Sequence, residues 1–373
     1  MRAGKRRDDV VRIQADVLED FMMNVFIKEG VPKDQAQICA HVLIESDKRG
    51  IESHGISRLK PIYIQRIRQK TIIPETKVDV IKEGPTTTVL DGNHGMGQVV
   101  SHQAMKMAIE KAKQFGMGMV AVRNSNHYGI AGYYVTMASD AGLIGITGTN
   151  ARPSVAPTFG VENMLGTNPI TFGMPTDEAF PFVLDCATSL SQRGKLEVYD
   201  RLDKSVPPGW VIGEDGETRT DTEQILRDLT QGQAALTPLG GIGDENAGYK
   251  GYGYATVVEI LSAALQGGAF LKALSGVKDG KPAFHALGHF FIAIDVEAFI
   301  DLEEFKSTTG QILRELRGSK KAPGHDRIYT AGEKEYLAWQ ERKVHGIPIN
   351  QSLQVEIKSL IAELGLNQYQ FGF

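Results

Sequence analysis

The sequence Ser53-His54-Gly55-Ile56-Ser57-Arg58 places an imidazole four residues before a guanidinium. If a helix begins near Gly55, both side chains project from nearly the same side and can act on one small molecule. Imidazole titrates near neutral pH and suits a general acid or base, whereas a guanidinium binds a carboxylate through two parallel hydrogen bonds. The stretch therefore predicts an active site for a 2-oxo or 2-hydroxy acid, although a capped helix start with a solvated arginine has the same pattern.

A second polar stretch, residues 123–129, follows an apolar run that is typical of a strand. Loops at the carboxyl ends of parallel strands are where α/β proteins place ligands. A single histidine at a strand end is more often structural. Because His127 stands among polar residues and precedes Tyr128-Gly129, in a chain that has another His-Gly site, we predict a functional role for it.

Three more polar turns adjoin apolar, strand-like runs, at residues 149–153, 166–170 and 181–189. In the last of these, a buried strand is predicted to end at Asp185. That carboxylate has three interpretations: it can bind the hydroxyl pair of a ribose, cap the next helix, or pair with an arginine.

The glycine-rich run from Gly240 to Gly253 contains Lys250 and is predicted to open into a helix at Tyr254. Free backbone N–H groups and a lysine at a helix N-terminus predict an anion site. The run does not match the loop that binds nucleoside triphosphates, so a dinucleotide phosphate fits better. The order G-x-x-G-x-G at residues 92–97, with no acidic residue after the next strand, likewise disfavours a Rossmann fingerprint.

The elements around these motifs predict a helical segment, then an α/β segment, then helices again. Residues 1–75 have helical periodicity, with helices expected over 10–29, after Pro32 and over 56–69. Residues 76–296 alternate strands and helices, and residues 297–373 return to helices. We expect the first and last segments to pack together as one helical domain beside the α/β domain.

The composition of the 373 residues, 42% of them hydrophobic, is that of an ordinary globular protein. Lys and Arg number 41 against 45 Asp and Glu, a net charge of −4, which argues against a nucleic-acid or membrane partner. The basic cluster at residues 2–7 is interpreted as a tail. No membrane span or secretion signal is expected, so we predict a cytoplasmic protein. The two cysteines lack a metal-ligand spacing, and no metal site is predicted.

The assembled motifs resemble the type 2 malate and L-lactate dehydrogenase family, which comprises NAD(P)-dependent reductases unrelated to the Rossmann lactate dehydrogenases. The resemblance covers nearly the whole chain and rests on six motifs in order: SHGISRL at 53–59, NSNHYGIAGYY at 124–134, TNARP at 149–153, GTNP at 166–169, LDCATS at 184–189 and KGYG at 250–253. It implies a non-Rossmann α/β cofactor domain with a mixed sheet, NAD or NADP as cofactor, and a homodimer with the active site near the subunit interface.

The resemblance also implies the roles of individual residues. Ser53 and His54 match an orienting hydroxyl and a proton donor, and Arg58 matches the arginine that holds the substrate carboxylate. His127 matches a histidine that accepts the proton in some members.

Thr167, with Asn168, falls near the substrate. The cofactor-binding candidates are Ala151, Asp185, Cys186, Ala187, Lys250, His289, Gly332 and Glu333. Ala151 replaces a serine that is common in its turn and Cys186 occupies a variable position, so the choice between NAD and NADP stays open.

The resemblance favours malate and oxaloacetate as the substrate pair, and lactate, sulfolactate, ureidoglycolate and cyclic imino acids are the alternatives within the family. A dicarboxylate requires a second cation, for which Arg152 and Arg193 are candidates. An alternative function, from another enzyme class, is that of a metal-dependent lyase or hydrolase of hydroxy acids that uses His54, His127 and Asp185. A non-catalytic binding protein is the third alternative.

Overall fold

The structure is a computed structural model that describes residues 10–373; the basic cluster at residues 2–7 lies outside the described residues. The helices are α1 (Ala15–Lys28), α2 (Lys33–Lys48), α3 (Gln65–Arg68), α4 (Gly97–Phe115), α5 (Gly132–Asp140), α6 (Arg193–Arg201), α7 (Thr222–Gln231), α8 (Gly248–Ala263), α9 (Leu302–Gly318), α10 (Glu333–His345) and α11 (Gln351–Leu364). The strands are β1 (Val11–Ile13), β2 (Asp79–Glu83), β3 (Thr87–Asp91), β4 (Met117–Ser125), β5 (Leu143–Thr149), β6 (Ile170–Met174), β7 (Phe182–Cys186), β8 (Val211–Gly213), β9 (Ala234–Leu236), β10 (Val277–Lys278), β11 (Lys281–Pro282), β12 (Leu287–Asp295) and β13 (Ile347–Ile349).

The two ends of the described chain meet in one hydrophobic core. Phe21 and Phe26 of α1 and Leu43 of α2 share a buried cluster with Ile357 and Leu360 of α11. β1 pairs antiparallel with β13, so the first described residues form a strand and the first helix starts later than the sequence predicted. A helical unit built from both chain ends is therefore confirmed.

The segment after His54 is helical as predicted, but it is irregular. It passes from a 3₁₀ turn (Ile56–Arg58) to a π-helical turn (Leu59–Ile64) and then to α3. Pro61 lies inside the π-helical turn, and proline has no N–H with which to continue the α-helical hydrogen bonding.

The central sheet has seven strands in the order β2-β3-β4-β12-β5-β6-β7. Only β3 and β4 are parallel neighbours; the other neighbouring pairs are antiparallel. A Rossmann sheet is built from parallel strands joined by helical crossovers. The prediction of a non-Rossmann mixed sheet is confirmed.

This strand order brings the polar motifs to one edge of the sheet. β12 lies between β4 and β5 and is antiparallel to both, with His289 opposite Val122 and Thr149. Ile170, the first residue of β6, lies opposite Gly148 and Cys186. The carboxyl ends of β4, β5 and β7 therefore lie beside the amino ends of β12 and β6.

The G-x-x-G-x-G glycines permit close packing. A Cβ on Gly97, at the start of α4, would lie 2.2 Å from the carbonyl oxygen of Asn126 and 2.4 Å from that of His127. A Cβ on Gly95 would lie 2.5 Å from Thr76. The glycines thus bring α4 against the backbone that carries His127.

The glycine-rich run corrects one prediction. α8 begins at Gly248 and not at Tyr254, so Lys250 lies in its first turn and its N–H donates to the carbonyl of Ala247. A Cβ on Gly251 would lie 2.2 Å from the carbonyl oxygen of Leu239. These glycines allow the helix to pack on a neighbouring loop. Anion binding at the start of α8, near Lys250, stays a prediction.

The C-terminal helices divide between the two parts of the molecule. α9 packs on the α/β part, where Arg314 forms an ion pair with Asp177 at 2.8 Å, whereas α11 joins the helical core. The domain boundaries near residues 75 and 296 stay predictions. No helix among residues 10–373 is long and apolar enough to cross a membrane.

Candidate active site

The loop that carries His54 is fixed by contacts within itself. The Oγ of Ser53 lies 2.8 Å from Nδ1 of His54, and the N–H of His54 donates to the carbonyl of Ile51. Nε of Arg58 donates to the carbonyl of Ser53. The histidine, its neighbouring hydroxyl and the arginine therefore form one local constellation, with Ser53 placed to orient the imidazole.

Asp47, near the end of α2, fixes this loop through a hydrogen bond of its carboxylate. Its Oδ2 accepts the N–H of Ile56 at 2.8 Å, at the start of the 3₁₀ turn. A Cβ on Gly55 would lie 1.9 Å from Oδ1 of Asp47, so the position requires glycine. Burial raises the pKa of Asp47 to about 7. The sequence analysis missed this residue because its partner lies nine positions away and not at a helix-cap spacing.

His127 is held by two donors at one ring nitrogen. Nδ1 lies 2.7 Å from the hydroxyl of Tyr63 and accepts the N–H of Gly129 at 3.3 Å. Because a backbone N–H only donates, Nδ1 is the acceptor, the tyrosine hydroxyl donates to it, and the ring proton of neutral His127 resides at Nε2. Tyr63 was not among the residues predicted for the site, although a buried tyrosine hydroxyl needs a hydrogen-bond partner and that signal pointed to a polar contact.

The two predicted catalytic histidines lie together. The rings of His54 and His127 stack with centroids 5.6 Å apart and an interplanar angle of 23°. Burial, and next the charge of Arg58, lower the pKa of His54 to about 4. Burial also lowers the pKa of His127 well below its ordinary value, helped by the charges of Arg66 and Arg58. Both imidazoles are therefore neutral at pH 7 before an anionic ligand binds.

Three arginines near the histidines have no carboxylate partner. Within the described part of the chain, no acidic oxygen forms an ion pair with Arg58, Arg66 or Arg152. Burial, together with the charge of Arg152 and against an opposing effect of Tyr63, lowers the pKa of Arg66 to about 10. Arg193, the other predicted second cation, instead pairs with Glu197 at 3.1 Å. Unpaired cations that repel one another favour an anionic ligand.

The side chain of Arg66 is only partly exposed, and its charge affects His127. Arg66 follows Ile62 by four positions and Tyr63 by three, so helical spacing places it on the same side as these inward residues.

The two substrate candidates on the GTNP turn differ in their contacts. Thr167 is partly exposed, whereas Asn168 is fully buried. Oδ1 of Asn168 accepts the N–H of Ala151 at 3.2 Å, and its Nδ2 donates to Glu259 at 2.8 Å and to the carbonyl of Ala255 at 3.1 Å. The geometry of Asn168 favours a role in fixing the 149–153 turn against α8; substrate contact stays a prediction for both residues.

A cavity of about 510 Å³ lies between α10 and the α/β part. Its walls include the predicted cofactor residues Asp185 and Gly332, and cavities of this size are typical of cofactor sites. Aromatic side chains and two cations also line it, namely Phe180, Tyr329, Tyr336, Trp339, Arg49 and Lys334. Flat aromatic faces suit an adenine and cations suit phosphates, so the residues present fit a dinucleotide.

Asp185 forms hydrogen bonds within the protein at the edge of this cavity. Its Oδ2 accepts the N–H of Gly132, the first residue of α5, at 2.7 Å, and its Oδ1 accepts the hydroxyl of Thr171 at 3.0 Å. Burial raises the pKa of the carboxyl. Asp185 therefore does not cap the helix that follows it, as one interpretation had it, but bonds the start of α5, which precedes it in sequence. Ribose binding stays a prediction.

The other cofactor candidates do not share one location. Glu333 is buried beside Gly332 and accepts the N–H of Thr330 at 3.1 Å. His289 is fully buried, with Nδ1 2.7 Å from Oγ1 of Thr149 and its ring stacked on Tyr128.

The remaining candidates, none of which lines the cavity, are Ala151, Cys186, Ala187 and Lys250. Lys250 is exposed on α8, and Ala151 contacts the GTNP turn. Residues 10–373 contain no group of three or more His, Cys, Asp or Glu side chains placed to bind a metal ion.

Comparisons with known proteins agree with this geometry. The family described as malate/L-lactate dehydrogenase matches residues 13–358. The chain is 44% identical over 359 residues to a malate dehydrogenase of Pyrococcus horikoshii, covering 96% of this chain and 97% of that one. It is 39% identical to an L-sulfolactate dehydrogenase of Methanocaldococcus jannaschii, covering 93% and 95%. A crystal structure of malate dehydrogenase from Entamoeba histolytica has a TM-score of 0.93 and 46% identity, covering 98% and 100%.

The electrostatics of the site predict a titration that NMR can measure. In ¹³C-histidine-labelled protein, we expect the His54 resonance, identified with a His54→Gln variant, to titrate near pH 4. Arg58→Met removes the nearby positive charge, so the midpoint should rise, while burial keeps it below the ordinary value of about 6.5. Arg314→Met, which alters a remote ion pair on α9, is the control. An unchanged midpoint in Arg58→Met would contradict this account of the site.

Proposed function

The chain belongs to the malate/L-lactate dehydrogenase family, and from that premise we propose that it interconverts a 2-oxo acid and a 2-hydroxy acid, with oxaloacetate and malate preferred. The observation that carries the proposal is the pair of stacked, neutral histidines beside Arg58, a cation without a carboxylate partner among the described residues. One group to bind the acid and another to exchange a proton are what this reaction requires of the protein.

In the proposed mechanism, a nicotinamide cofactor supplies or accepts the hydride when it is bound. Arg58 binds the substrate carboxylate, and His54 or His127 exchanges the proton with the substrate oxygen. Ser53 orients His54, and Tyr63 with Gly129 fixes His127.

The substrate's own charge assists that proton exchange. An anion bound at Arg58 offsets the positive charge that lowers the pKa of His54, so the imidazole binds a proton more readily in the complex than in the free protein. The site thereby couples binding of the acid to the availability of the proton that reduction consumes. In the reverse direction, a neutral imidazole accepts the hydroxyl proton.

Arg66 and Arg152 support a dicarboxylate. Neither has an acidic partner in the described chain, and the charge of Arg152 lowers the pKa of Arg66. The charge of Arg66 also acts on His127, as that of Arg58 does, which supports a role for Arg66 at the same site. A second carboxylate would relieve the repulsion between the two guanidinium groups. We assign Arg66, with Arg152, to the distal carboxylate of oxaloacetate.

The cofactor is proposed to occupy the cavity beside α10, as NAD or NADP. The cavity offers carboxylates at Asp185 and Glu335 and cations at Arg49 and Lys334, so its charge is mixed. Carboxylates favour a ribose diol and cations favour a phosphate on the same ribose. Direct comparison of the two cofactors decides between them.

A homodimer is also part of the proposal. Tyr254, Val257 and Ile260 follow one another at three-residue spacing on α8 and are 58%, 47% and 53% exposed. Phe270, 60% exposed, extends this apolar face, which borders a groove of about 560 Å³. Such a large exposed apolar face is typical of a contact surface, and we propose a second copy of the chain as its occupant.

We further propose a cytoplasmic location, for which the free cysteines Cys39 and Cys186 are the support.

The first experiment is an absorbance assay of NADH and NADPH oxidation with oxaloacetate, pyruvate and a cyclic imino acid. We expect oxaloacetate to give the highest kcat/KM because it alone of the three carries a carboxylate for Arg66 as well as one for Arg58. Higher kcat/KM with pyruvate or the imine would overturn the malate assignment, and no turnover of any acid despite cofactor binding would overturn the proposed reaction.

Substitution of Arg58 and substitution of Arg66 should lower kcat/KM for different sets of substrates. Arg58→Ala removes the group common to all 2-oxo acids, so kcat/KM should fall about 30- to 1000-fold for both oxaloacetate and pyruvate, as for a lost charged hydrogen bond. Arg66→Met should lower kcat/KM about 10- to 100-fold for oxaloacetate and less than about threefold for pyruvate.

Arg68→Met is the matched control for Arg66→Met, because Arg68 lies two residues further along and pairs with Glu29 and Glu363 at the surface. We expect it to retain the kinetics of the unaltered protein. Equal losses with both acids in Arg66→Met would contradict the distal-carboxylate role.

The dimer is tested by light scattering. Ile260→Asp places a charge in the apolar face of α8 and should convert a dimer to a monomer, because an unpaired buried charge is costly. Val355→Asp, on α11, introduces the same charge at a side chain that is 63% exposed outside this face and should leave the dimer intact. A monomeric unaltered protein, or an intact dimer in Ile260→Asp, would contradict the proposal.

A further inference from the structure

One helix, α10, contacts both the cofactor cavity and the catalytic loop. Tyr336 and Trp339 of α10 line the cavity, together with Gly332 immediately before the helix. Arg342, in the last turn of the same helix, reaches the chain just before the catalytic loop. The cavity and the loop are thus joined by one rigid element three turns long.

Arg342 spans the segment between α2 and His54. Its Nη1 donates to the carbonyl of Asp47 at 2.6 Å, and its Nη2 forms an ion pair with Glu52. Between these two points, α10 lies against the chain, since a Cβ on Gly50 would be 3.2 Å from the Cβ of Ala338. The arginine side chain is 12% exposed and that of Glu52 is 59% exposed, so the ion pair lies at the surface, whereas the contact with the Asp47 carbonyl is partly buried.

Both residues that Arg342 contacts are bonded to the catalytic loop. The carboxylate of Asp47 accepts the N–H of Ile56, and the carbonyl of Glu52 accepts the hydroxyl of Ser57 at 2.6 Å. Glu52 also directly precedes Ser53. A shift of Arg342 would therefore be transmitted to the loop between His54 and Arg58 through short, directional contacts.

The same segment also lines the cavity. Arg49 and Ile51, which lie between Asp47 and Glu52, line it together with Tyr336 and Trp339. A ligand that fills the cavity can therefore contact α10 and the segment at once. Its binding must favour those arrangements of the two walls in which the ligand is in contact with both.

We propose that Arg342 is a positioning residue that couples occupancy of this cavity to the geometry of the catalytic loop, so that the nicotinamide cofactor and the 2-oxo acid strengthen each other's binding. The inference rests on the proposed function, because it takes the cofactor as the ligand of the cavity. Arg342 itself contacts neither ligand. It acts by fixing Asp47 and Glu52 relative to α10, and thermodynamic linkage requires the effect to be reciprocal.

The test measures binding of NADH, or NADPH if only that is turned over, with and without oxamate, whose amide carbonyl is not reduced. Trp339 lines the cavity and Trp210 is the other tryptophan, so a Trp210→Phe background reports on the cavity by fluorescence. We expect oxamate to lower the cofactor Kd at least about fivefold in this background, within the usual range of coupling between sites.

In Arg342→Met, the factor by which oxamate lowers the cofactor Kd should fall below about twofold. The cofactor Kd without oxamate should stay within about threefold of its value before the substitution. Arg342→Lys keeps one cation and should restore part of the coupling. Glu52→Gln weakens one of the two contacts without altering the arginine, and should lower the coupling even if Arg342→Met does not fold. Arg314→Met, at the exposed ion pair on α9, is the control and should keep the full factor.

Full coupling in Arg342→Met, or in Glu52→Gln if the former does not fold, would overturn the inference. It would equally be overturned if the Trp210→Phe protein bound both ligands independently. These outcomes leave the proposed reaction intact. Failure of the Trp210→Phe protein to bind oxamate, together with no turnover of any 2-oxo acid, would instead overturn the proposed function and the inference with it.

Discussion

The position of β12 between β4 and β5 is the constraint on which the site depends. Because β12 runs antiparallel to both neighbours, the residues that enter it lie beside the carboxyl ends of the other two. The same alternation continues through β6 and β7. In a parallel sheet, the loops before each strand would lie at the opposite edge. Here loops that enter strands and loops that leave them share one edge, so motifs far apart in sequence face a common space.

The helical unit completes the site from the other side. Its Tyr63 donates to His127, which follows β4, so a hydrogen bond crosses the junction between the two parts of the molecule. His54, from the helical unit, stacks on the same ring. The site exists only where the two parts meet, and the close packing at Gly97 fixes the separation between α4 and the chain at His127.

The arginines of the site form no ion pair with an acidic residue in the described chain, and an anionic ligand would supply the missing counter-charge. Burying a cation without a counter-ion costs free energy, and the lowered pKa of Arg66 reflects that cost. The neighbouring histidines avoid the cost because they are neutral. An acid that brings one or two carboxylates would offset the positive charge and make a proton available. In the proposed mechanism, substrate recognition and proton exchange are therefore two aspects of one electrostatic balance, and α10 is the proposed path by which ligand binding in the cavity influences it.

The sequence by itself determined the local chemistry. The spacing of His54 and Arg58, the polar ends of the strands and the missing dinucleotide fingerprint are properties of short stretches, and they identified the non-Rossmann fold class and the family. Pairing between distant residues was decided only by the tertiary structure. The charge of Arg66 acts on His127, which lies 61 positions further along the chain. The oxygens of Asp185 accept hydrogen bonds from Gly132 and Thr171. A side chain's chemical type is fixed by the sequence, but its hydrogen-bond partner depends on which segments the whole fold brings within about 3 Å of it.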